Sequence, residues 1–159
     1  MSSVAGSPLS PEIAEGDDRD PMRVLVVIGG EADAAGAVRE LHALAMSYTC
    51  SITLLVVHRT SMFVRSFAPL SGMSLASLDE LARHHAAELA HTFGNRVRGH
   101  TVDHVLASRT WDATAPLRSL RCGVYDALLL GRPPARRAPR RLVAAAGASD
   151  TVVIVATRP

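Results

Sequence analysis

From residue 23 onward the hydrophobic positions of this chain switch regularly between two periods. Arg23-Val-Leu-Val-Val-Ile28 is a near-continuous branched run, as a strand buried on both faces requires, and Gly29-Gly30 ends it. Val38, Leu41, Ala45 and Tyr48 then recur at helical spacing and predict a helix with one apolar face. Ser51–His58, with Ile52, Leu54, Leu55, Val56 and Val57, predicts a second strand. The longest predicted helix covers Leu75–Phe93. Leu78, Leu81, Ala82, His85 and Leu89 form its apolar stripe, which makes His85 a core histidine, and Gly94-Asn95 stops it. Val97–Leu106 alternates in part and predicts a third strand. A third helix is capped by Asp112 or Thr114, tolerates Pro116 only in its first turn, and closes at Gly123. Tyr125–Leu130 predicts a fourth strand, Pro139–Ala146 a short fourth helix and Thr151–Thr157 a fifth strand. Such alternation predicts an α/β fold: one doubly wound parallel sheet of five strands with helices on both faces.

Composition narrows this picture. With 159 residues, 48% of them hydrophobic, the chain suits a single domain. Its longest apolar runs, Val24–Ile28 and Ala127–Leu130, fall far short of the ~20 residues a membrane helix needs. All 17 basic residues are arginine, which excludes lysine Schiff bases, a Walker-A lysine and lysine general bases. Cys50 and Cys122 form no CxxC pair, so two buried thiols in a reducing, cytoplasmic setting are expected, without a disulfide. Residues 1–21 stand apart, with three prolines and five acids (Glu12, Glu15, Asp17, Asp18, Asp20) against the single base Arg19. They lack an apolar stretch of the signal-peptide kind and are expected to be a disordered tail dispensable for folding, with Met22 an alternative start; the folded domain spans 22–159.

In open parallel sheets ligands sit beyond the carboxyl ends of the strands, where the strand order reverses. Gly29 and Gly30 fall at such an end and would let backbone N–H groups approach a phosphate, although a plain strand-to-helix turn explains the pair equally well. The next glycine is Gly36, so the GxGxxG spacing of a dinucleotide site is absent. His58 ends the second strand beside the same cleft.

Tyr-Asp-Ala-Leu-Leu-Leu-Gly131, the early Val-Leu-Val-Val-Ile strand and the closing Thr-Val-Val-Ile-Val-Ala resemble the universal stress protein family across residues 22–159. Asp126, Leu128, Leu129, Leu130 and Gly131 are similar to that family's fourth-strand motif. The resemblance implies strand order 3-2-1-4-5, a homodimer formed through the last strand (Thr151 to Thr157), and an adenine-nucleotide site in one branch of the family. That branch carries G-x2-G-x9-G-(S/T) after the fourth strand. Here only Gly131 remains: the second position is Pro134 and the final pair is Ala144-Ala145. The family's first strand commonly ends in an acid, where this chain has Gly29. Pro133 and Pro134 carry no N–H to donate to a phosphate. ATP is therefore disfavoured, and no cofactor is expected.

The same loop and helix carry Arg132, Arg136, Arg137, Arg140 and Arg141, with no acid between Gly131 and Ser149. Guanidinium groups bind phosphate without a backbone cradle, so Gly29, Gly30, His58, Gly131, Arg132 and Arg136 are the candidate cofactor-binding residues should a phosphate ligand bind. A solvated arginine-biased surface is the simpler explanation. Nucleic-acid binding is disfavoured, since aromatic residues are 4% of the chain and none interleaves the cluster.

His84, Glu88 and His91 share a helix face at ligand-like spacing, but they lack an HExxH pattern or a second cluster, and a solvated face accounts for them. No GxSxG elbow is present. The SGGxDS loop of ATP pyrophosphatases is matched only by Ile28-Gly-Gly-Glu-Ala-Asp33, without the leading serine and with the acid one place late. No catalytic residue is therefore nominated. The connection His58–Ser74 carries Met62, Phe63, Val64, Phe67, Leu70 and Met73, and reads as a lid, a contact surface or a turn packed on its own sheet. The expected function is a non-enzymatic regulatory or adaptor domain, dimeric, with a degenerate nucleotide site and a protein partner the sequence does not specify. The alternative is a nucleotide or phosphometabolite sensor that uses the arginine-rich loop.

Overall fold

The computed structural model describes residues 20–58, 70, 72–97, 100–108, 114–132 and 137–157. Except for Asp20 and Pro21, the expected acidic tail lies outside the described residues, as does most of the connection after His58. In chain order the elements are β1 (Met22–Ile28), α1 (Glu31–Ala45), β2 (Cys50–Val57), α2 (Leu75–Arg96), β3 (Thr101–Ser108), α3 (Thr114–Arg121), β4 (Ala127–Leu130), α4 (Arg137–Gly147) and β5 (Val152–Val155). The five strands form one sheet of order β3-β2-β1-β4-β5, and every neighbouring pair is parallel. β1 is central: Val24 pairs with Ile52 on one side and Ala127 on the other. Its residues Val24–Ile28 are all buried, as a branched run covered on both faces must be.

Successive side chains of a strand point to opposite faces, and the core divides accordingly. Val24, Val26, Ile28, Ile52, Leu54 and Val56 pack against Ala34, Ala37 and Leu41 of α1 and Ala86, Leu89 and Phe93 of α2. Leu25, Val27, Leu55, Leu128 and Leu130 pack against Leu120 of α3 and Leu142, Ala145 and Ala146 of α4. α1 and α2 therefore cover one face, α3 and α4 the other.

Several expectations shift by a fraction of a turn. His85, Leu81 and Tyr48 are exposed rather than core residues. The buried stripe of α2 is Leu78, Ala86, Leu89 and Phe93, next to the predicted one. Gly94 and Asn95 do not stop this helix; it runs to Arg96 because Val97, fully buried, keeps the last turn against the core. β3 accordingly starts at Thr101 instead of Val97, and His100 precedes it. Cys50 is buried, and burial raises its thiol pKa, whereas Cys122 is exposed; both are free thiols. Gly123 does close α3, at φ +66°: its N–H bonds the Leu120 carbonyl, and the Val124 N–H reaches Ser119.

The amino ends of the two central strands are tied by charge. Arg23 donates from Nε and Nη2 to the two Asp126 carboxylate oxygens at 3.3 and 3.2 Å, and its backbone N–H adds a third bond at 2.8 Å. These hydrogen bonds from the Arg23 side chain hold the Asp126 carboxyl below the usual carboxylate range, against the opposing effect of partial burial. A carboxyl whose folded-state pKa is depressed adds stability above its ordinary pKa and loses it as pH falls through the folded value. Asp126→Asn is thus expected to lower the melting temperature by a constant amount between about pH 5 and 7, with the gap to wild type narrowing below about pH 4. Parallel thermal melts across this range check it; a gap independent of pH would assign the stabilisation to geometry alone.

Candidate functional site

β1 and β4 are neighbours, but the helices that follow them, α1 and α4, leave toward opposite faces. This divergence opens a crevice beyond the strand ends, and Gly29 and Gly131 stand on its two sides. Into it projects Asp33, in the first turn of α1 and only 7% exposed. The Gly29 N–H donates to Asp33 Oδ2 at 3.0 Å, and Arg132 Nε lies 3.4 Å from the same oxygen. A buried carboxylate costs several kcal/mol unless it is paired, and here a backbone donor, a guanidinium and the positive end of α1 all offset it.

The crevice is narrow because α1 presses on β4. A Cβ built on Gly131 would stand 2.5 Å from the Asp33 carbonyl oxygen and 2.7 Å from the Asp33 Cβ. One helical turn on, a Cβ at Gly36 would meet the Gly131 carbonyl oxygen and the Ala156 Cβ, each at 3.0 Å. Gly131 and Gly36 allow the helix backbone to lie directly on the end of the sheet.

Of the residues nominated from the sequence, Gly29, Gly131 and Arg132 converge around Asp33. Gly30 is the residue before α1 in extended backbone, with no atom within 4 Å of a built Cβ, so it belongs to the turn rather than to the cluster. His58 follows β2 and is partly exposed, one residue after Val57, whose carbonyl faces Gly29. Arg136, Pro133 and Pro134 lie outside the described residues. Asp33 is the residue that reading the sequence did not single out for the site. Its sequence signals are an acid in the first turn of a helix, four residues after Gly29, and the displaced acid of the incomplete SGGxDS match.

Elsewhere, His84 pairs with Glu88 at 3.4 Å and His91 meets Asn95 at 3.1 Å, all along the exposed side of α2. Among the described residues no three His, Cys, Asp or Glu side chains come together as metal ligands, and no helix is long and apolar enough to cross a membrane.

The sequence matches no family model and no curated protein. Solved structures do match. The hypothetical protein MJ0577, the subject of a structure-based assignment of biochemical function, is 13% identical, with TM-score 0.53 over 87% of this chain and 96% of its own. The hypothetical protein PH0823 is 14% identical, with TM-score 0.50 over 87% and 96% of the two chains. A universal stress protein in complex with cAMP aligns at 13% identity and TM-score 0.46 over 87% and 98%. This chain shares the fold of MJ0577 and PH0823.

Proposed function

We propose that the chain is a non-enzymatic regulatory or adaptor domain of the universal stress type, cytoplasmic and dimeric, whose nucleotide site is degenerate. The observation that carries this reading is Asp33. A phosphate held at this crevice would use the Gly29 N–H and a nearby cation, and both are engaged by the Asp33 carboxylate. A polyphosphate would bring like charge against that buried carboxylate in a site of reduced dielectric. The sequence adds to this, because Pro133 and Pro134 lack the N–H groups a phosphate cradle would use.

Titration of the chain with ATP by calorimetry is expected to give no measurable heat, or a Kd above about 1 mM, equivalent to roughly −4 kcal/mol. The competing reading, a phosphate sensor built on arginines, is favoured by Arg132 at the crevice. It requires that any binding observed fall in Arg132→Ala and Arg136→Ala and weaken with added salt. Tight wild-type binding unaffected by either substitution would show an intact backbone cradle and overturn both readings.

A further inference from the structure

The two helical layers differ in charge. α1 and α2 mix signs, with Glu31, Glu40, Asp79, Glu80 and Glu88 beside Arg39, Arg83 and Arg96. α3 and α4 contain no acid at all, and Arg118, Arg121, Arg140 and Arg141 are exposed on them. Arg118 and Arg121, in the last turn of α3, complement that helix's dipole. Arg140 of α4 does the opposite: it falls in the first turn of that helix, where positive charge is disfavoured and an anion is favoured. The Ser149 hydroxyl, just past α4, donates to the Leu120 carbonyl of α3 at 2.6 Å, and the two helices pack side by side on one face of the sheet.

In the sequence an acidic segment directly precedes the strand at the edge of this surface. Asp20 is exposed two residues before β1, where Arg23 grips Asp126. Asp126 in turn lines a cleft of about 480 Å³ with Arg121, Cys122, Ser149 and Asp150, between the ends of α3 and α4. Glu12, Glu15, Asp17, Asp18 and Asp20 thus precede the very point at which the basic layer begins. Nine extended residues span roughly 30 Å, against roughly 16 Å for the 11-residue α4, so they can reach from Arg121 to Arg140.

We infer that the acidic segment 12–20 docks along the arginine-lined face of α3 and α4 and shields it from other polyanions. The tether makes the encounter intramolecular, which gives the segment an advantage over any free anion. Exposed charge pairs add little net stability, so removal of residues 1–21 leaves the melting temperature unchanged while uncovering the face.

Cys122 allows a direct test, being exposed in the cleft while Cys50 is buried. A nitroxide placed on Cys122 of the full chain is expected to cut the amide signals of Glu12–Asp18 by about twofold or more at low salt, with recovery near 0.5 M NaCl, where screening acts over only a few ångströms. A chain carrying Glu12→Gln, Glu15→Gln, Asp17→Asn, Asp18→Asn and Asp20→Asn should show no such loss. Equal intensities in the acidic and neutral tails would overturn the inference. So would broadening that arises between a spin-labelled chain and a separate isotope-labelled one, which would place the tail on a second copy. Independently of the label, the chain starting at Met22 should elute from heparin at higher salt than the full chain; identical elution would rule out shielding.

Discussion

Gly131→Ala is expected to destabilise the fold by about 3 kcal/mol or more, which for a domain of this size lowers the melting temperature by roughly 6–12 °C. The added methyl would stand 2.5 Å from the Asp33 carbonyl oxygen, and the atoms it meets are helix backbone, which cannot rotate away as a side chain can. Relief requires α1 to lift from the end of β4. That movement would also disturb the packing of Ala34 and Ala37 on β1 and the bond from the Gly29 N–H to Asp33. Gly94→Ala is the matching control. It lies inside α2 with nothing within 4 Å of a built Cβ, so it should gain the ~0.5–1 kcal/mol that alanine gains over glycine in a helix. Thermal melts of the two variants beside wild type separate close packing from the general effect of filling a glycine. An unchanged midpoint for Gly131→Ala would mean that α1 does not lie this close to the end of β4 in solution.

The contrast between these two glycines also indicates which features the sequence could reveal. Continuous runs such as Val24–Ile28 and Ile52–Val57 have no polar face to turn to water, so burial on both sides of a parallel sheet follows from the residues themselves. The strand order came from the family resemblance, because local periodicity says nothing about which strands are neighbours. The stripe of α2 was harder to place. Leu78 and Leu89 belong to two adjacent helical stripes, and Leu81 drew the prediction to the wrong one; contact with β2 and β3 selects Ala86 and Phe93 and leaves His85 in water. The role of Asp33 was not legible because the cation it meets is distant in sequence, although its other partner, Gly29, is only four residues away. Its carboxylate meets Arg132 from the loop after β4, and only the packing of α1 on Gly131 brings them together.

Val152→Arg is expected to weaken self-association at least a hundredfold, about 3 kcal/mol, while leaving the monomer folded. β5 stands at the edge of the sheet and pairs within the chain with β4 alone among the described residues, so its outer row of backbone groups is available to another chain. Its residues are apolar, yet none is fully buried, and Val152 is 56% exposed. An apolar edge left in this state invites pairing, which supports the proposed dimer through Thr151 to Thr157. The structure separates the probes of that interface. Ile154 packs toward α1 and α2 and Val153 toward α3 and α4, so a charge at either position would injure the core as well as the contact. Val152 belongs to neither core cluster, and an arginine there would be solvated in the monomer but desolvated between two edges. Sedimentation velocity over a range of concentrations should show wild type as a dimer and Val152→Arg as a monomer, with melting temperatures of the dissociated chains in agreement. A wild-type chain that sediments as a monomer at high concentration would remove the dimer from the proposed function, and β5 would be an edge kept single by its short length.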